Sequence, residues 1–437
     1  MGVLVDRRYE TVTRAWPTGV DVPGLLTLTL LPLALAGLRR VESAQKSRDG
    51  DHVSKRLGFA ALSAGMALTL AACGGEGAGG SGGAGGGGAE AEDLTIGVSM
   101  PTQTSERWIA DGNNVQEQLE AEGYTVDLQY ANDDIPTQSQ QIDQMITEGA
   151  DILVVAAIDG TALSGQLENA AANNIPVVAY DRLIRDSPNV DFYVTFDNFA
   201  VGQAQGNALL TGLGLRNEDG SPGTATGPFN VELFAGSLDD NNAFFFWDGA
   251  MSVLQPLIDD GTLVVKSGQT SIEQAAILRW QQETAQRRME DLLTSSYNDG
   301  SRVDGVLSPY DGISRGIITA LQNAGYGPTL DAQPQPMSVV TGQDAEIASV
   351  KLIQDGVQSS TIFKDTRLLA EQAVAAASAF AEGNEPEAND TETYDNGVKV
   401  VPSYLLPVET VFADDIQSVL IDSGYWTAEE VAAGQSD

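Results

Sequence analysis

The sequence predicts an α/β protein of two Rossmann-like lobes, each a parallel sheet covered by helices. Three observations predict it. Short apolar, β-branched runs alternate with amphipathic stretches of helical period, the mark of repeated right-handed βαβ units. The alternation restarts after residues 192–196. The roughly 345 residues that follow a glycine tether exceed what one hydrophobic core normally holds.

In order, 94–99 reads as a strand, 105–122 as an amphipathic helix ended by Gly123, 124–130 as a strand and 136–148 as a helix closed by Gly149. Strand 152–156 and helix 162–172 lead to the run Ile175, Pro176, Val177, Val178, Ala179, which ends in Tyr180, Asp181 and Arg182. An apolar run without polar alternation is the pattern of a strand buried on both faces. Its end emerges at the carboxyl edge of the sheet, where open α/β folds bind ligands, so the adjacent acid and base form either a ligand clamp or a surface ion pair. After 192–196 come helix 200–213, a Gly/Ser/Pro/Thr-rich loop at 217–228, strand 229–235, helix 242–254 and strand 262–266. Helix 284–295, strand 305–308, helix 312–324, strand 337–341, helix 345–355 and strand 360–363 complete the second series. Gly97 leads into Ser99, Met100, Pro101 and Thr102 rather than G-x-G-x-x-G, so a dinucleotide site has no support.

The amino-terminal region has a different character. Residues 1–52 read as an upstream extension from a start assigned too early; their apolar run at 25–38 is broken by Pro32 and short for a membrane span. Residues 53–72 have the layout of a secretory signal: Lys55 and Arg56, an apolar stretch at 57–70, then Leu70, Ala71, Ala72 and Cys73. The small pair before the cysteine resembles a bacterial lipobox, which implies acylation of Cys73 and an extracytoplasmic protein anchored to the outer face of the cell membrane. Residues 73–90 form a tether, nearly all glycine from 74 to 88, that cannot bury a core.

Composition narrows the function. The chain carries 61 acidic and 23 basic residues, a net charge of −38; removing residues 1–72, with 9 basic and 6 acidic, leaves −41. Such a surface repels phosphates, which argues against nucleic acid and against adsorption to anionic membranes. Cys73 is the only cysteine, and the only histidine, His52, leaves with the signal. The mature chain is therefore expected to lack disulfides, Ser-His or Cys-His nucleophiles, histidine-ligated metal and any cofactor.

Polar and aromatic residues gather where the predicted strands end. Glu106, Arg107 and Trp108 follow the first strand; Asp181 and Arg182 follow 175–179; Asp239, Asp240, Asn241 and Asn242 follow 229–235. Arg279 and Trp280 sit in a loop, while Tyr310 with Asp311, Gln343 with Asp344, and Lys364 with Asp365 end the last three strands. Carboxylates, amides and cations each bond adjacent hydroxyls and a Trp ring covers the apolar face of a pyranose, so this mixture suits an uncharged polyol. Each cluster alone is more often a helix cap or solvated turn, and Asp239 to Asn242 is a good N-cap for the next helix. Recurrence at one edge of both lobes favours the ligand site.

Six stretches then resemble the sugar-binding receptors of ATP-driven importers, in the branch that joins multiple-sugar and D-xylose receptors. They are A-Y-D-R-L-I at 179–184, D-D-N-N-A-F-F-F at 239–246, L-S-P-Y-D-G at 307–312, G-Q-D-A-E at 342–346, T-I-F-K-D-T-R at 361–367 and N-G-V-K-V-V-P-S-Y-L-L at 396–406. The resemblance implies a type I periplasmic binding protein: two lobes joined by a three-crossover hinge, with a monosaccharide enclosed between them. By it, lobe one is 91–197 plus 365–396, lobe two is 198–364 plus 397–427, and 428–437 is a tail. It places Arg107, Trp108, Asp181, Arg182, Asp240, Asn242, Trp280, Tyr310, Asp344 and Lys364 at the sugar. Tyr310 stands where xylose and ribose receptors carry Asn, which argues against selectivity for pentoses alone.

The expected function is a monomeric lipoprotein that closes around an aldose such as xylose, glucose, galactose or arabinose. It delivers the sugar to a membrane permease with a cytoplasmic ATPase, and it does no chemistry. The alternatives are a sugar sensor for a kinase or chemoreceptor, and a glycoside hydrolase using, for instance, Asp181 and Asp344 in a cleft long enough for a second sugar.

Overall fold

The computed structural model describes residues 94–436; the signal, Cys73 and the tether lie outside them. The chain opens with β1 (Thr95–Met100), α1 (Glu106–Ala121), β2 (Thr125–Tyr130), α2 (Ile135–Glu148), β3 (Ile152–Val155), α3 (Ser164–Ala172), β4 (Val177–Tyr180) and β5 (Phe192–Phe196). A second run follows: α4 (Asn198–Gly212), β6 (Phe229–Leu233), α5 (Asn242–Asp259), β7 (Leu263–Val265), α6 (Ile272–Ala275), α7 (Gln282–Ser296), β8 (Gly305–Leu307), α8 (Asp311–Asn323), β9 (Val339–Val340), α9 (Ile347–Gln354) and β10 (Thr361–Phe363). The chain closes with α10 (Thr366–Ala381), β11 (Ser403–Leu406), β12 (Glu409–Val411) and α11 (Ala428–Ala433).

The first sheet has the order β2-β1-β3-β4-β5-β11, with every pair parallel. The second has the order β7-β6-β8-β9, also parallel, and β10 pairs antiparallel with β12. In each sheet the order reverses beside the first strand, and such a reversal opens a crevice at the carboxyl ends. The strand predicted to be buried on both faces, β4, is so: Val178 and Tyr180 join one apolar cluster with α1 and α10, while Val177 and Ala179 join the opposite one with α2 and α3. β3 divides in the same way, Ile152 and Val154 against Leu153 and Val155. Helix ends follow local chemistry: Asp134 caps α2 through the Thr137 N–H at 2.9 Å, and Gly149 closes that helix in the left-handed region at φ 94°.

Two assignments in the carboxyl-terminal region need correction. Residues 397–427 were expected in the second lobe, but β11 lies in the first sheet, in register with β5 from Ser403 opposite Tyr193 to Leu406 opposite Phe196. The last crossing therefore falls between Leu406 and β12, because a parallel strand is claimed by a partner two hundred residues upstream and not by its own neighbours. Residues 428–437 were expected to be a tail. Instead, α11 starts at a capping box of Thr427 and Glu430 and seats Val431, fully buried, among Val350 and Ile353 of α9.

Candidate ligand-binding site

Both sheets point their carboxyl ends into one cavity of roughly 410 Å³. All ten residues singled out above line it, drawn from every strand end concerned: Arg107 and Trp108 on the first turn of α1, Asp181 and Arg182 after β4, Asp240 and Asn242 after β6, Trp280 before α7, Tyr310 after β8, Asp344 after β9 and Lys364 after β10. Backbone strain concentrates here. Asp181 (φ 59°), Arg279 (φ 56°), Trp280 (φ 58°), Asp344 (φ 89°) and Ala345 (φ 49°) occupy the left-handed region that non-glycine residues rarely enter.

What holds Asp181 there is visible. Its carbonyl accepts from Tyr193 Oη at 2.7 Å, Asn242 Nδ2 at 2.8 Å and Thr195 Oγ1 at 3.0 Å. Asn242 belongs to α5, so this amide ties the second lobe to the first directly. Its Oδ1 faces Asn198 Nδ2 at 3.0 Å, at the start of α4 where the chain first crosses over.

The expected Asp181–Arg182 pair is not formed. Arg107 grips Asp181 with two nitrogens, at 2.6 and 3.2 Å, and Lys364 Nζ approaches it to 4.0 Å. Arg182 pairs across the cleft with Asp240, Nε to Oδ2 at 3.1 Å. Asp181 lies past the end of β4 with its backbone in the left-handed region, and the two adjacent side chains take different partners. Lys364 also meets Asp344 at 3.0 Å, and Arg107 Nε meets Asp111 at 2.9 Å.

These groups are almost fully buried, so each charge depends on its partner. Burial alone would raise the Asp181 carboxyl; the Arg107 guanidinium and then the Lys364 ammonium outweigh it and hold the group at about 2. Asp111 is different: burial pushes its carboxyl up to about 6, with Arg107 opposing. Burial likewise raises Asp240, against the pull of Arg182. A carboxyl held ionised as Asp181 is cannot serve as the general acid of a hydrolase.

An aromatic wall faces the charged groups. Trp280 packs edge-on against Phe246 and Tyr310, with ring centroids 6.3 and 6.2 Å apart. A side chain at Gly236 would collide with the Trp280 ring, so only glycine admits it. Trp108 lies under two guanidinium groups, Arg107 at 4.6 Å and Arg182 at 5.0 Å, and thus steadies the arginines as well as walling the cavity.

Several clustered residues support the site from outside it. Asp311 accepts from the Gln343 and Glu346 N–H groups, Gln358 Nε2 and Thr361 Oγ1, and so pins the strained loop that carries Asp344. Burial and the nearby Glu346 charge push its carboxyl up to about 8, while those four donors favour the carboxylate form. Asp365 caps α10 and pairs with Arg367. Arg279 lines the cavity and pairs with Asp239 at 3.1 Å. Asp111, Phe246, Arg315 and Glu346 belong to the site or its support but stand outside the residues singled out at the strand ends. The four-residue spacing of Arg107 and Asp111 on one helix face is a signal that finds Asp111. Arg315 and Glu346 join only through tertiary contact, at 2.6 Å.

Residues 96–385 match the periplasmic binding protein domain family. The chain is 55% identical over 341 residues to the multiple sugar-binding periplasmic receptor of Rhizobium radiobacter, covering 78% of this chain and 93% of that one. It is 34% identical over 343 residues to the D-xylose-binding periplasmic protein of Escherichia coli, covering 78% and 94%. Among solved structures, a solute-binding protein of Clostridium phytofermentans with bound β-D-glucose superposes with a TM-score of 0.71 at 46% identity, covering 77% of this chain and 99% of that one.

Proposed function

The chain belongs to the periplasmic binding protein domain family, and on that premise we propose that it is the extracytoplasmic sugar receptor of an ATP-driven importer. It is a binding protein, not an enzyme. It encloses one aldose between its lobes and presents it to a membrane permease. The observation that carries this reading is the pairing of buried, mutually neutralised charges with an aromatic wall at one cavity. Arg107, Asp181, Asp240, Asp344 and Lys364 offer directed hydrogen bonds without a large net charge, and Trp280 with Phe246 and Tyr310 offers apolar area. That is the chemistry of an uncharged ring rimmed with hydroxyls. The cavity, roughly 410 Å³, lies within the ~300–1,000 Å³ range of small-molecule sites.

The related proteins named for glucose and xylose support an aldose as ligand, and their shared architecture supports the importer role. Anchoring through an acylated Cys73, and action as a monomer, are part of the same proposal. Titration calorimetry of the protein against D-glucose, D-galactose, D-xylose and L-arabinose tests it. Saturable one-to-one binding of at least one aldose is expected, and heat no greater than dilution for all four overturns the reading.

A further inference from the structure

Ser105 and Glu346 immediately precede α1 and α9, and neither side chain caps its own helix. They meet across the lobes instead. Ser105 Oγ donates to Glu346 Oε1 at 2.9 Å, and the first N–H of α9, that of Ile347, donates to Glu106 Oε2 at 3.2 Å. An α-helix leaves its first N–H groups unpaired and its start partly positive, so a carboxylate is favoured there. In this protein that carboxylate comes from the opposite lobe.

Glu346 is buried and holds more than Ser105. It accepts from Tyr310 Oη at 2.7 Å and pairs with Arg315 at 2.6 Å, and both of those side chains wall the sugar cavity. On the far side lies a second cleft, lined by Thr104, Glu106, Ile347 and Ala348 together with Arg315 and Glu346. Thr104 and Arg315 border both spaces. The exchanged contacts thus stand between the cavity and the outside.

We infer that Glu106 and Glu346 are positioning residues for sugar retention: the Ser105–Glu346 and Ile347–Glu106 contacts form a latch between α1 and α9, and its opening sets the rate at which bound sugar leaves. The inference rests on the hinged-receptor reading above. Parting the lobes breaks both contacts together, returning the α9 terminus to water and leaving Tyr310 and Arg315 without their tie to lobe one. Glu106 is the informative position, because its contact crosses the lobes while its side chain lies outside the sugar cavity.

The test is stopped-flow tryptophan fluorescence on the full chain, with whichever of the four aldoses binds most tightly; Trp108 and Trp280 report occupancy from the cavity wall. Glu106→Ala should leave the association rate near that of the parent and raise the dissociation rate about two- to thirty-fold, the span of a lost helix cap. Glu106→Gln, which retains an oxygen to accept from Ile347, should fall between the two. Hydrogen exchange at the Ile347 amide of the sugar-bound protein gives a second reading, faster in Glu106→Ala. A dissociation rate or an Ile347 exchange rate equal to the parent's overturns the latch and leaves the receptor reading standing. A parent that responds to none of the four sugars overturns the receptor reading, and the latch with it.

Discussion

At the scale of single residues, Asp181 gathers the most consequences. Its backbone is strained, its carbonyl takes three donors and its carboxylate meets two cations, while it remains only 3% exposed. Asp181→Ala removes hydrogen bonds to the sugar and strips Arg107 of its two-pronged partner, so affinity should fall by ~2–5 kcal/mol with the circular dichroism spectrum unchanged. Parental affinity in that variant would mean that the Arg107–Asp181 pair is structural only. Asp111 and Asp181 carry opposite pH signatures. An acid held at about 2 contributes stability that is full above its ordinary value of 3.8 and is lost as pH falls through about 2. An acid raised to about 6 works against the fold as pH rises from 3.8 through about 6, because over that range the unfolded chain releases the proton that the buried group still holds. Asp111→Asn should therefore make the loss of stability on the way to pH 6 shallower, leaving the shares of Asp240 and Asp311, and keep the loss on acidification; chemical unfolding in steps across this range measures it, and parallel profiles would refute the assignment.

Among the elements, the α4–α5 pair connects the crossover to the site. α4 starts where the chain enters the second lobe, and α5 starts at Asn242 and carries Phe246. The two helices meet through glycines: a side chain at Gly202 would strike the Phe246 carbonyl, and one at Gly249 would strike the Phe199 carbonyl. Backbone cannot yield as a flexible side chain can. Gly202→Ala should thus destabilise the protein by ~1–3 kcal/mol, read as a lower unfolding midpoint, and weaken sugar binding because Asn242 and Phe246 shift with α5. An unchanged midpoint would show that the crossing has slack.

For the whole molecule, cavity residues are divided between lobes, so sugar favours the closed arrangement and shifts the population toward it. Small-angle scattering should give a smaller radius of gyration at saturating sugar; superimposable curves would count against a hinge. The anchor is tested separately. Acyl chains partition at ~0.8 kcal/mol per buried methylene, so two or three on Cys73, as proposed, would suffice to retain the protein; no helix among the described residues is long and apolar enough to cross a membrane. Cys73→Ser should appear in the medium or remain unprocessed, and unchanged retention would exclude lipidation at that position.

Much of this protein was legible along the chain. The burial of β4 on both faces follows from its uninterrupted apolar run, because a strand covered on both faces has no polar side to show. Nine of the ten cavity residues stand just past strand ends, because each parallel sheet delivers its carboxyl edges to one side, while Trp280 in its loop rests on the family resemblance. Partnership was not legible. Arg107, seventy-four positions before Asp181, holds it, and Asp240 takes Arg182, because buried charges pair with whatever the packed lobes bring within reach. The same holds for β11 beside β5 and for Glu106 at the start of α9. Residue type and period determined the elements and the edge at which the site lies; only the tertiary structure decided which charges, strands and helix ends meet, since those contacts join segments that no local pattern links.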